Sequence, residues 1–146
     1  MSITLTENDK RLELDILGYE FPEGGSDLYD VNWLVVGVAY DDGSLSFRQE
    51  DSCLLAYELR ELTEALDGIV EGRETGLIRT FMEPYLSIAV TRVGEVYALQ
   101  VRFVYDTAGP WKAVGVCRGL DRRELAELNE RLKAMYARFP RREVQE

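Results

Sequence analysis

The chain has 146 residues, 46% apolar and 10% aromatic, with 27 Asp/Glu against 17 Lys/Arg for a formal charge of −10, and it contains no histidine. That length fits one domain whose core needs no metal or disulfide staple, and no apolar run approaches the ~20 residues that cross a bilayer. The missing histidine removes Ser-His and Cys-His nucleophile pairs and the usual zinc and iron ligand sets.

Ile3 and Leu5 alternate with polar residues, Asn8-Asp9 gives a turn, and Leu12, Leu14 and Ile16 resume the alternation, so the chain opens on a β-hairpin. The apolar parity then switches to Leu17, Tyr19 and Phe21. A period-2 strand changes faces only by inserting a residue, which makes Gly18 the expected bulge. Pro22, Gly24 and Gly25 next break the strand into a loop carrying Glu20, Glu23, Asp27 and Asp30. Residues 31–40 are apolar on both parities, as in a central strand covered on both sides, with Trp33 in the core.

Asp41-Asp42-Gly43 reads as a hairpin turn into a strand with Leu45 and Phe47. Leu55, Leu59, Leu62, Leu66 and Ile69 recur at helical spacing opposite Glu58, Glu61 and Glu64. They predict an amphipathic helix that starts between Ser52 and Ala56 and stops near Gly72. Strands follow at 77–82, 86–93 and 96–105, the last two joined by a tight turn at Gly94. After a break at Ala108-Gly109-Pro110, a short strand runs over 111–117. A second helix is capped by Asp121, carries its stripe on Leu125, Leu128, Leu132, Met135, Tyr136 and Phe139, and ends at Pro140. Its Arg and Lys residues interleave with Glu124, Glu127 and Glu130 as a mixed-charge wet face. The expected fold is α+β: a curved antiparallel sheet or partial β-sandwich of seven or eight strands with two helices packed on it. Residues 1–140 form one domain and 141–146 a polar, partly basic tail.

Chemistry is scarce. None of the phosphate-cradling, metalloprotease, nucleophile-elbow or calcium-loop motifs occurs, and Ser26 has no base to activate it. Asp27 with Asp30, or Asp41 with Asp42, has the composition to hold a hard cation or share acid–base work. They sit in polar turn sequence, however, where solvated carboxylates are the expectation. Cys53 and Cys117, 64 positions apart, are expected as two reduced buried thiols rather than a disulfide. Trp111, after Pro110, is either a lid on the core, the favoured placement, or an exposed anchor. Charge is uneven: residues 1–67 hold 16 Asp/Glu against 4 Lys/Arg, and residues 68–146 hold 11 against 13. An acidic half repels nucleic acid and anionic membranes and draws in basic proteins.

GYEFP at 18–22, the D-x-x-D-x-NWL run at 27–34, CLL leading into E-L-x-x-L at 53–62, FMEPYLS at 81–87, Pro110-Trp111 and FPRR at 139–142 together resemble the WapI-type immunity proteins. The resemblance covers nearly the whole chain. It implies a small bacterial cytoplasmic protein, neither an enzyme nor a cofactor binder, that neutralises a toxin domain. A basic nuclease cleft blocked by charge and bulk is the target that fits the acidity. On that reading Glu20, Glu23, Asp27, Asp30, Asp41, Asp42 and Trp111 are the partner-binding candidates, with no nucleic acid, membrane or small-molecule substrate involved. The rival expectation is a structural or regulatory interaction domain whose acidity only keeps it soluble.

Overall fold

A computed structural model describes residues 2–144. Among them the order is β1 (Ser2–Glu7), β2 (Lys10–Tyr19), β3 (Trp33–Asp41), β4 (Ser46–Leu55), α1 (Ala56–Val70), β5 (Gly76–Thr80), β6 (Leu86–Val93), β7 (Val96–Asp106), β8 (Lys112–Leu120) and α2 (Arg122–Arg138). The fold is α+β as the alternation predicts, with its eight strands divided into two antiparallel four-stranded sheets. Sheet 1 is ordered β1-β2-β3-β4 and sheet 2 β5-β6-β7-β8. Each sheet is a run of hairpins because the connections between its strands are short or loop straight back.

Both sheets and both helices contribute to one core. Leu12, Leu34 and Val36 of sheet 1 join Leu99, Val101 and Phe103 of sheet 2, together with Leu59, Leu62 and Leu66 of α1 and Leu125 and Met135 of α2. A small apolar cavity of about 30 Å³ marks where they converge, between Ile3, Leu14, Leu66, Leu99 and Leu132. The helices are fastened to each other by polar contacts. Asn129 Nδ2 donates to Thr63 O (3.2 Å) and Asp67 Oδ1 (2.9 Å), Lys133 Nζ sits 2.7 Å from the same carboxylate, and Arg122 Nε donates to Val70 O at the end of α1. The two sheets meet edge to edge at β1 and β8 through side chains: Cys117 N donates to Glu7 Oε1 (2.9 Å), and Arg118 NH1 donates to Thr6 Oγ1 (3.0 Å).

Gly18 lies at the β2 bulge. Ile16 pairs with Val36 and Gly18 with Val35, so Leu17 is the inserted residue that flips the parity. Three expectations need correction. Burial alternates strictly along β3: Leu34, Val36, Val38 and Tyr40 are buried, whereas Trp33, Val35, Gly37 and Ala39 are half-covered. On that outer face the Leu17 side chain lies over Gly37. Cys117 is exposed while Cys53 is buried, because Val114 and Val116 take the inward parity of β8. The strand predicted over 77–82 ends at Thr80, since Phe81 turns into the core and leaves the ladder. α1 starts directly at Ala56, with Glu58 Oε1 accepting from Leu55 N (3.0 Å) in place of a cap on Leu55.

Candidate interaction site

The β2–β3 loop, residues 20–32, is built as a hydrogen-bonded turn. Glu20 N donates to Trp33 O (2.9 Å), extending the β2–β3 ladder by one rung, and Gly24 N donates to Phe21 O (3.0 Å) with Gly24 at φ +89°. Asp27 Oδ1 accepts from Tyr29 N (2.7 Å), and Val31, Asn32 and Trp33 close a short helical turn onto Asp27 and Tyr29 carbonyls. Val31 and Asn32 point inward and are buried. That inversion leaves Phe21, Leu28 and Tyr29 outward, 41%, 36% and 45% exposed.

Glu20, Glu23, Asp27 and Asp30 are exposed on the same loop, and among the described residues none of them forms an ion pair. The tertiary fold adds acid beside them. Burial, and then the neighbouring Glu83 and Glu20, hold the Asp51 carboxyl on β4 above the usual carboxylate range. Glu58 is likewise pushed up by burial, against the opposing donation of Met82 N (2.9 Å) and Leu55 N. Cys53 is pushed up to about 12 by burial and then by Asp51, so it stays a thiol.

Asp41 and Asp42 lie elsewhere. They stand at the far end of β3, eight residue steps from Trp33, or ~26 Å at the rise of a strand. Both work within their turn: Asp41 Oδ1 accepts from Gly43 N (2.8 Å), and Asp42 Oδ1 accepts from Ser44 N (2.9 Å) and Leu45 N (2.7 Å). The amides of Leu45 and Ser44, followed by the Tyr40 hydroxyl at 3.0 Å, pull the Asp42 carboxyl below its ordinary value. Burial first, and Asp42 second, push the Tyr40 phenol up to about 12. Trp111 is an exposed residue rather than a core lid: 52% of it is accessible, and it leans on Tyr85 at 5.4 Å between ring centroids. It lies three positions before Val114, the first buried residue of β8, and so on the opposite, outward parity.

The sequence reading missed Asp51, Glu58 and Glu83, which lie on three separate segments, and it missed the hold that Arg142 has on the loop. Only the FPRR run signalled the latter. Among the described residues no group of three or more Cys, Asp or Glu side chains is placed to hold a metal ion. Among the described residues no helix is long and apolar enough to cross a membrane.

A two-sheet α+β domain with an acid-rimmed aromatic loop at one end is the class of molecule these features define. The chain belongs to the Immunity protein WapI-like family, whose model matches residues 3–140. No curated protein matches it.

Proposed function

We propose that this chain neutralises a basic protein toxin domain by laying the β2–β3 loop over the toxin's functional surface, and that it carries out no reaction of its own. The observation that carries the reading is the joint exposure of Phe21, Leu28 and Tyr29 among four carboxylates that have no ion-pair partner among the described residues. Aromatic anchors inside a charged rim are the composition of an interface centre. Carboxylates without an ion-pair partner give up no internal salt bridge when a cation meets them, and they raise the encounter rate. A toxin whose cleft binds a phosphate backbone, such as a nuclease, presents the complementary charge. The Asp41-Asp42 turn lies beyond a Debye length of ~8 Å from the loop at physiological salt. It therefore joins the interface only if the partner spans the length of β3. Trp111, beside Tyr85, is a further exposed aromatic that the interface can use.

The test pairs the purified chain with a catalytically inactivated toxin domain encoded beside its gene. Tyr29→Ala and the double change Asp27→Lys with Asp30→Lys are each expected to weaken binding at least about tenfold, or ~1.4 kcal/mol. Unchanged affinity in both variants, with folding intact, would overturn the assignment of this loop.

A further inference from the structure

We infer that Arg142 is the positioning residue of this loop, reaching from the C-terminal segment to hold the proposed interface in its binding shape; the inference rests on the reading just given. Its guanidinium donates to three loop carbonyls at once: NH1 to Pro22 O (2.9 Å), NH2 to Phe21 O (2.8 Å) and Nε to Val31 O (2.7 Å). Two of these acceptors lie where the chain enters the loop and the third where it leaves, so one planar fork closes the base of the loop. The backbone of the same residue completes the closure. Arg142 N donates to Asn32 Oδ1 (2.8 Å), while Asn32 Nδ2 donates back to Arg142 O (3.0 Å) and also to Leu28 O (2.9 Å). Beneath the fork the Tyr19 ring lies 3.7 Å from the guanidinium carbon, and the Tyr19 hydroxyl donates to Pro140 O (2.6 Å).

The geometry needs arginine. A lysine ammonium has no planar fork and cannot reproduce three fixed N–H directions toward carbonyls on both arms of the loop. Nor does Arg142 touch a loop carboxylate: its partners are carbonyls, an amide and a ring, so it neutralises none of the acids of the rim. Ordering thirteen loop residues in advance removes that entropic cost from the binding step. Residues 140–142 therefore belong with the loop as one functional unit.

Arg142→Ala and Arg142→Lys in the full chain test this by amide hydrogen exchange and by binding to the same inactivated toxin domain. Both variants are expected to speed exchange at the Gly24, Val31, Asn32 and Trp33 amides at least about tenfold, with β7 amides unchanged. Both are also expected to weaken toxin binding about tenfold, with lysine giving no rescue. Should arginine loss leave loop exchange at the wild-type rate, or should lysine restore it fully, the positioning role is wrong. If Asp27→Lys with Asp30→Lys weakens binding while Arg142→Ala does not, the loop is the interface but Arg142 does not position it. If neither change alters binding, the interface assignment itself has failed, and this inference fails with it.

Discussion

Single residues carry the clearest consequences. Asp51 is half-buried with Glu83 and Glu20 as electrostatic neighbours, and its folded-state pKa lies above the unfolded value. A carboxyl raised in this way contributes stability that is fully present below the unfolded pKa, about 3.9, and is lost as pH rises through the folded value. Asp51→Asn is therefore expected to raise the melting temperature at pH 7 and to lose that advantage as pH falls through the carboxylate range. A melting series from pH 4 to 8 checks the direction, and an advantage that grew on acidification would contradict it. Nothing in the sequence separates Asp51 from the neighbouring acids. Its burial and its acidic neighbours arise only once β4 pairs with β3 and Glu83 and Glu20 come near. Gly18 is the opposite case, because a parity switch is written in adjacent residues and needs no partner to be read.

At the level of elements, strands and helices follow their local periods closely. The α1 stripe Leu59, Leu62, Leu66 and Ile69 is buried as its spacing predicts, and Asp121 caps α2 by accepting from Glu124 N at 2.8 Å. Where prediction slipped, a neighbouring element decided the outcome. β3 is apolar on both faces yet fully buried on only one, since hydrophobic composition permits burial but cannot supply a second layer. β5 is a short strand whose attachment has one tight point: a Cβ on Gly76 would stand 2.7 Å from the Val90 carbonyl oxygen on β6. Backbone cannot yield there as a flexible side chain would. Gly76→Ala is expected to cost about 1–3 kcal/mol by overpacking and to loosen β5 from β6, seen as a lower denaturant midpoint and faster exchange in β6. A stability within 0.5 kcal/mol of wild type would show that β5 shifts freely, which its register with β6 argues against.

For the whole molecule, the quantity that matters is where the charge of −10 resides. Several cations of the second half are spent on ion pairs, Lys133 with Asp67 across the two helices and Arg123 with Glu127 within α2, while the four β2–β3 loop acids form no ion pair among the described residues. Association with a basic toxin domain is therefore expected to slow at least about tenfold between 50 and 500 mM salt, with a much smaller change in dissociation. Stopped-flow mixing separates the two rates, and a salt-independent association would remove electrostatic attraction from the mechanism.

The sequence by itself determined which segments are strands and helices, where β2 bulges, and that acid gathers before β3, because each of these is a pattern among residues close in the chain. Only the tertiary structure decided that eight strands divide into two sheets and that Trp111 faces outward. It alone brought Arg142 back to Asn32 across 110 positions. Those outcomes depend on which surfaces find each other when the core closes, and a hydrogen bond between distant residues leaves no periodic trace in the segments that form it.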